Sequence, residues 1–374
     1  MCSEKTQSHI VFLMFLVILL PSLAKPQEKW MGSIKKDGDI TVVSNPREPL
    51  YKTPILELRE DLSLGGRHAS GDYAFGGIRN LVVDEQGSIY VLDEKNYRVQ
   101  AFDASGKYLR TIGRKGQGPG DLDSPLSLFL NRTSDELLVL QGIRRLSFFR
   151  TNGTFIRQLN INNSIRAQYD SRGQIYLLEQ ARSKEGEWSF DVKKLSMFGT
   201  ERGVVASVPG QGYSGKINPF FPVTTFQVDR LDNLVYGDPR KYELLFFDPS
   251  EGKLFKKVTH YYADIPVSDE DKAKELEKIP PDARAYINLV FPKYHPIFSE
   301  FFLSDLGHII VRTNEKTKDG QFIHDIFDAD GRFISRMPLK PSGITILKGK
   351  YYALEEDEDG FQYVKRYAVT WKVN

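Results

Sequence analysis

Cysteine is almost absent from this chain of 374 residues, and an excess of one charge sign is absent too. The single cysteine, Cys2, excludes an intramolecular disulfide framework and a cysteine-ligated zinc site. The 51 lysine and arginine residues face 49 aspartate and glutamate residues, which leaves a net charge of +2. A dedicated nucleic-acid-binding protein usually carries a basic excess on one face. We therefore expect no nucleic-acid partner.

Local catalytic motifs are also missing. The histidines show neither an HxH nor an HExxH spacing, so a histidine-rich zinc site has no local support. No G-x-S-x-G elbow and no Walker loop occurs. The glycine-rich run GQGPG, residues 116–120, lies between two predicted strands and not at the start of a helix. It is therefore interpreted as a turn and not as a phosphate-binding loop.

Long apolar runs are missing except at the N-terminus. Residues 10–20 are uncharged and apolar, Pro21 ends the run, and small residues precede a candidate cleavage site after Ala24. This pattern predicts a signal peptide over residues 1–24 and a periplasmic or extracellular protein. An uncleaved anchor is the alternative, but the run is shorter than the roughly 20 residues that cross a bilayer. Cys2 precedes the run, so we expect no lipid attachment, and the short run leads us to expect no stable membrane insertion.

Aromatic residues, at 12%, are well represented, and the rest of the chain repeats one pattern. The pattern consists of an apolar strand, an Asp–Gly turn, a second strand with a polar end, and a third strand ending near Phe-Asp-x-x-Gly. It recurs in six copies that match in general form, and the second copy lacks the Asp-x-x-Gly turn. The copies begin near Leu81, Leu128, Asp170, Phe226, Phe301 and Ile344. Four short strands at a period of roughly 40–50 residues are typical of a propeller. We predict an all-β, six-bladed β-propeller with four-stranded blades.

The two ends of the chain are predicted to share the last blade. The sixth copy ends after three strands, which would leave an open sheet edge. Residues 55–64 alternate between apolar and polar side chains and belong to no copy. We expect them to supply the missing outer strand and to close the ring. The domain prediction is therefore an N-terminal extension over residues 25–54 and a monomeric propeller over residues 55–374.

Blade four carries the longest insertion. Ser268 to Asp271 has the form of a capping box, and Pro280 and Pro281 end the short helix that it begins. The insertion is interpreted either as a solvated excursion or as a lid over a ligand. The loop after it holds Tyr294 and His295 between two prolines, which places them near the predicted channel entrance.

Aligned blades place polar residues in two columns. The first column, at the ends of the second strands, contains Asp93, Gln141, Glu179, Asp238, Thr313 and Glu355. For this column we favour a role in holding turns. The second column, at the starts of the innermost strands, contains Asn80, Ser127, Arg166, Thr225 and Glu300, with Gln168 and Gln227 two residues further on. The candidate ligand-binding residues are Asn80, Arg166, Gln168, Thr225, Gln227, Tyr294, His295 and Glu300.

Residues 78–125 resemble the NHL repeat, in which an Asp-x-x-Gly turn, a Tyr-Val-x-Asp strand end and an Asn-x-Arg-Val-Gln-x-Phe strand follow one another. The overall pattern is similar to exported bacterial six-bladed propellers with a GQGPG loop. The resemblance implies the fold and says little about function. Some NHL propellers bind RNA through a basic face, an interpretation that the export signal disfavours.

Related lactonase-type propellers bind a divalent metal through Glu, Asn and Asp, and neither column reproduces that set. We therefore expect no cofactor, with Ca²⁺ as the open alternative for the first-column carboxylates. The favoured function is a binding scaffold for a peptide, glycan or partner protein at the channel mouth. The alternative is a metal-dependent hydrolase or lactonase, or an amidating-type lyase, on the same fold. The catalytic residues of such an enzyme are not indicated, and enzymatic activity stays an open question.

Overall fold

The computed structural model describes residues 29–131, 133–210, 216–222, 225–284, 286–339 and 342–372. The predicted signal peptide, residues 1–24, lies outside the described residues. Within them, no helix is both long enough and apolar enough to cross a membrane.

The described chain is built almost entirely from short strands. In chain order these are β1 (Ser33–Asp37), β2 (Ile40–Asn45), β3 (Leu56–Gly65), β4 (Ile78–Val83), β5 (Ile89–Asp93), β6 (Arg98–Phe102), β7 (Tyr108–Ile112), β8 (Pro125–Asn131), β9 (Glu136–Gln141), β10 (Arg145–Arg150), β11 (Phe155–Asn160), β12 (Ser164–Tyr169), β13 (Ile175–Arg182), β14 (Trp188–Leu195), β15 (Glu201–Pro209), β16 (Lys216–Ile217), β17 (Thr225–Val228), β18 (Leu234–Asp238), β19 (Glu243–Asp248), β20 (Lys253–His260), β21 (Asn288–Leu289), β22 (Phe298–Leu303), β23 (Ile309–Lys316), β24 (Phe322–Phe327), β25 (Phe333–Pro338), β26 (Ser342–Leu347), β27 (Lys350–Glu356) and β28 (Gln362–Trp371). The helices are the α-helix α1 (Asp269–Glu277) and a 3₁₀ turn, Gly71–Tyr73.

Six antiparallel sheets form the six blades. From the channel outwards they are β4 to β7, β8 to β11, β12 to β15, β17 to β20, β22 to β25, and β26 to β28 followed by β3. The innermost strands contact one another in the cyclic order β4, β8, β12, β17, β22, β26 and back to β4. The ring is therefore closed around a central channel, and the predicted six-bladed propeller is confirmed.

The core is divided among the six interfaces between blades. One apolar cluster fills each interface; the cluster between blades one and two, for example, contains Leu92, Leu128 and Val139. Strand β5 is buried at every position, because it lies in mid-sheet with a neighbouring blade on each face. Burying one such side chain contributes about 1.5–3 kcal/mol. Stacked blades thus stabilise a fold that has no disulfide.

Closure of the last blade follows the prediction. β3 pairs with β28 in antiparallel register, from Leu56 opposite Trp371 to Gly65 opposite Tyr363. Leu56 and Leu64 are buried against this blade and its neighbours. The N-terminal strand therefore supplies the outer edge that the C-terminal repeat lacks.

The chain before β3 also lies along the outer rim. β1 and β2 form a hairpin, and β2 pairs in parallel with β20, the outer strand of blade four. Asn45 joins blades four and five: its Nδ2 donates to the carbonyls of Thr259 (3.2 Å) and Gly331 (2.9 Å), and its Oδ1 accepts from the Phe333 N–H (2.7 Å). The N–H of Leu50 then donates to the Phe333 carbonyl in β25. We call residues 33–65 the outer strap, because they cover the rims of blades four, five and six in turn.

The insertion of blade four contains the predicted helix. Ser268 and Asp271 form a reciprocal capping box at the start of α1, which confirms the expectation from sequence. The two-residue strands β16 and β21 pair in parallel and join the insertion to the chain that precedes blade four. The insertion therefore runs from β20 of blade four to β22 of blade five and is also held to the segment ahead of blade four.

Candidate functional site

The central channel forms a cavity of about 890 Å³. All six innermost strands contribute to its wall. Five of the eight candidate residues line it, namely Asn80, Arg166, Gln168, Gln227 and Glu300. The predicted second column is thus largely brought together in one place.

A repeated irregularity shapes this wall at the starts of the innermost strands. In β4, β8, β12 and β22 the register shifts by one residue immediately before the second-column residue. A β-bulge of this kind inserts one residue and re-aims the neighbouring side chains. The inserted residue of β4 is Arg79, which also lines the channel. Simple alternation along the strand cannot reveal a bulge, so Arg79 was missed from sequence.

Side-chain amides form hydrogen bonds with some of the backbone groups that the innermost strands expose to the channel. An innermost strand leaves backbone N–H and C=O groups unpaired on its inner side, and each needs a partner or water. Asn80 Nδ2 donates to the Leu128 carbonyl (2.8 Å), and Asn80 Oδ1 accepts from the Leu128 N–H (3.0 Å). The amide of Asn80 therefore links blades one and two.

Two glutamines continue this pattern across blades three, four and five. Gln168 Nε2 donates to Gln227 Oε1 at 2.9 Å, and Gln227 Nε2 donates to the Phe301 carbonyl at 3.4 Å. Within the described residues no donor reaches Gln168 Oε1. The amide pair thus presents an acceptor to the channel.

Arg166 is a charged residue of the channel wall whose pairing differs from that of the other charged residues there. Burial lowers the pKa of its guanidinium, and the negative charge of Glu300 partly offsets that effect. Glu300 itself forms an ion pair with Arg312, whose Nη1 lies 2.7 Å from Glu300 Oε1. Among the residues that the structure describes, none accepts a hydrogen bond from Arg166 or lies within ion-pair distance of it. Arg166 is thus a partly buried cation facing an open cavity.

The other charged side chains of the channel wall have partners. Arg79 donates to the Leu126 carbonyl at 3.3 Å. Arg230 donates to the Asp305 carbonyl at 2.5 Å, and the Asp305 carboxylate accepts from the Lys348 N–H at 2.6 Å. These groups hold the strands and turns at the two ends of the channel.

The remaining three candidate residues lie elsewhere. Thr225 is 1% exposed and does not line the cavity. His295 Nε2 contacts Asp271 Oδ2 of the helix at 3.1 Å, and its ring lies 4.6 Å from that of Phe220. Tyr294 lies beside it, under the Lys293 ammonium group. These two residues position the insertion and do not line the cavity, so a ligand role for them stays a prediction.

The contact between His295 and Asp271 has an electrostatic signature. Burial opposes ionisation of Asp271, but hydrogen bonds from Ser268 and His295 outweigh it and lower the pKa of this carboxyl to about 2. Asp271 therefore stays charged at neutral pH and holds His295 against the helix.

Asp93 of the first column holds a turn, in line with the interpretation favoured for that column. Asp93 is fully buried, and its Oδ1 accepts from the N–H groups of Gly76 and Gly77 at 2.9 and 3.1 Å. Its Oδ2 accepts from Asn96 at 2.8 Å and Arg98 at 3.0 Å. Its carboxylate thus locks the entry to blade one. In the described part of the chain, no group of three or more His, Cys, Asp or Glu side chains is arranged to hold a metal ion.

Comparison with known proteins supports the fold. A family model for DUF5128, described as "6-bladed beta-propeller", matches residues 70–202, which comprise blades one and two and most of blade three. No curated protein matches the chain.

Two solved structures from Bacteroides are similar in fold. One, from Bacteroides fragilis and named as an exported protein, is 13% identical with a TM-score of 0.53, and the match covers 89% of this chain and all of that one. The other, a member of the DUF4221 family from Bacteroides vulgatus, is 12% identical with a TM-score of 0.52, and the match covers 84% of this chain and 99% of the other. At this identity the likeness shows the propeller fold alone.

Proposed function

We propose that this chain is an exported propeller that binds a small ligand, such as a peptide or glycan fragment, in its central channel. The observation that carries the proposal is the cavity of about 890 Å³ walled by all six blades. Small-molecule sites in proteins are concave and occupy about 300–1,000 Å³. A cavity of this size suits a short segment of a polymer better than a folded partner domain.

The wall has the mixed chemistry of a ligand site. Apolar side chains such as Phe129 and Phe302 alternate with the Gln168–Gln227 amide pair and with Arg166. Apolar surface gives affinity, while a few fixed polar groups orient the ligand. Residues from several blades converge on one axis, so a single bound molecule contacts many parts of the ring.

Export is supported by two independent features. Residues 10–24 have the pattern of a signal peptide. The Bacteroides fragilis protein of similar fold is named as exported. We therefore propose a periplasmic or extracellular location, where a small-ligand scaffold would meet molecules from outside the cytoplasm. The enzymatic alternative gains no specific support from the described side chains.

A channel-blocking variant tests the proposal. Ser127 lines the cavity, and Ser127→Trp would fill part of it. Thr370→Trp, on the exposed surface of β28, is the matched control. We expect native mass spectrometry of the protein from its own host to show a small-molecule adduct. The adduct should persist in Thr370→Trp and disappear in Ser127→Trp. An adduct that survives channel blocking, or no adduct in any variant, would contradict the proposal.

A further inference from the structure

Most charged side chains of the channel wall have a hydrogen-bond or ion-pair partner. Arg79, Arg230 and Asp305 hydrogen-bond to backbone groups, and Glu300 is paired with Arg312. Within the described residues Arg166 has no such partner, although this residue lines the cavity. The channel therefore offers one cation that the fold does not use.

An unused cation in a partly desolvated position is costly to keep. A buried charge is stabilised only when it is paired and hydrogen-bonded, and burial already lowers the pKa of Arg166. The negative charge of Glu300 acts on Arg166 through space, while the Glu300 carboxylate accepts a hydrogen bond from Arg312. Structural stability thus gives no reason for an arginine at this position, whereas recognition of an anion does.

We propose that the ligand of the channel is a small organic carboxylate, bound with its carboxylate group on the Arg166 guanidinium. This inference rests on the proposed function and adds the charge of the ligand to it. A guanidinium matches a carboxylate through two parallel N–H···O bonds. Gln168 Oε1 is available to a hydroxyl or amide N–H on the body of the same molecule.

The wall favours one negative charge over several. Only one cation lacks a partner in the described wall, and the Glu300 carboxylate faces the same cavity. A phosphate dianion or a polyanion would bring further negative charge toward the Glu300 carboxylate, which repels it. A monoanion with an uncharged body, such as a uronic acid or the C-terminus of a short peptide, fits both conditions.

A pair of probes with the same shape and different charge tests this inference. The probes are 4-fluorobenzoate and the neutral 4-fluorobenzamide, each observed by ¹⁹F NMR with the full mature chain. We expect the ¹⁹F signal of 4-fluorobenzoate to broaden on binding. The neutral 4-fluorobenzamide should bind with a Kd at least about tenfold higher. Charge-assisted hydrogen bonds contribute about 1.5–3 kcal/mol, which corresponds to roughly a tenfold to hundredfold change in Kd. Glucuronate and N-acetylalanine should compete with 4-fluorobenzoate, and inorganic phosphate should not.

Three variants locate the effect. Arg166→Met should weaken 4-fluorobenzoate binding at least about tenfold, and Arg166→Lys should give an intermediate Kd because it keeps the charge and loses the two-pronged contact. Arg230→Met is the matched control, since Arg230 lines the same channel but already has a partner. It should bind 4-fluorobenzoate like the parent protein.

The outcomes separate the two proposals. Equal binding of both probes, unaffected by Arg166→Met, would overturn the carboxylate inference while leaving a ligand-binding channel. Competition by phosphate alone would overturn it as well. If neither probe binds, the carboxylate inference is overturned, and the adduct test with Ser127→Trp decides the proposed function independently.

Discussion

Polar residues on the outer rim of this propeller and on its inner rim, formed by the innermost strands, differ in how they are hydrogen-bonded. On the outer rim, the outer strap gives blade six its fourth strand and adds a hairpin to blade four, and Asn45 uses both ends of its amide to join blades four and five. On the inner rim, Asn80 is satisfied in the same way, but Arg166 is not. Asn45 lies outside the repeats, whereas Asn80 and Arg166 occupy the same repeat position, at the start of an innermost strand. The internal partner of a polar group, and not its place in the repeat, thus separates a structural role from a candidate binding role.

Removing the outer strap should have the largest effect. A variant that lacks all residues up to Gly65 exposes the whole edge of β28 and loses the buried side chains of Leu56 and Leu64. We expect aggregation or the loss of cooperative thermal unfolding, because an unpaired apolar edge associates with other chains. Circular dichroism melting and size-exclusion chromatography measure this.

The control for that truncation is a variant that begins at Lys29, ahead of β1. It keeps every strand of the outer strap and should melt like the full mature chain. If the variant without the outer strap melts at the same temperature as this control, the outer rim does not depend on N-terminal closure.

Asp93→Ala should destabilise the protein strongly, because it leaves two backbone N–H groups and Arg98 without their acceptor. Removing one partner from a buried, charged hydrogen-bond network costs about 3–5 kcal/mol. Chemical denaturation should show this loss in the free energy of unfolding. Asp330→Ala, which removes an exposed carboxylate near Arg332, should change it by less than about 1 kcal/mol. Similar values for the two variants would argue against the turn-holding role of the first column.

A pH series should reveal one buried acid at the interface of blades four and five. Burial raises the pKa of Asp325 to about 6, although Arg336 and the Tyr242 hydroxyl, 2.6 Å from Oδ2, act in the opposite direction. Because the folded pKa lies above that of the unfolded chain, this acid stabilises the fold while protonated, and that contribution is lost as the pH rises from about 4 to about 6. A shift of two pKa units corresponds to roughly 3 kcal/mol.

The comparison partner for this series is Asp325→Asn, which cannot ionise. Other titrating groups, including Asp271, are common to both proteins and cancel in the difference. We expect the parent protein to lose stability relative to Asp325→Asn between pH 4 and pH 7. A difference that stays constant over this range would show that burial does not raise the pKa of Asp325.

Arg166→Met should have the smallest effect on stability. It removes a desolvated cation that makes no hydrogen bond to the described residues, so the free energy of unfolding should change by less than about 1 kcal/mol, or increase. Differential scanning calorimetry against the parent protein measures the change. A loss comparable to that of Asp93→Ala would place Arg166 with the structural residues and break the contrast between the two kinds of position.

Much of the architecture could be predicted because the sequence of each blade repeats the same local pattern. The period of the strands indicated six blades, the three-strand last copy indicated closure by residues 55–64, and Ser268 indicated the start of α1. The hairpin β1–β2 follows no repeat, so its place on blade four depends on tertiary contacts that no local pattern contains.

The candidate site was predictable only in part for the same reason. Aligned strand starts brought Arg166 and Glu300 to one channel. The bulge that adds Arg79 to the channel wall cannot be recognised from the alternation of apolar and polar residues in the sequence. The position of His295 is set by Asp271 and Phe220, which come from two separate segments, and the Glu300–Arg312 pair depends on strand register. These are side-chain contacts between segments, which a single sequence does not specify.

A crystal structure of the protein isolated from its native host would test ligand binding in the channel most directly. We expect density for a bound small molecule in the channel, with one end against the Arg166 guanidinium and its body beside Gln168. Ordered water that fills the channel and bridges Arg166 to Glu300, with no bound molecule, would contradict it.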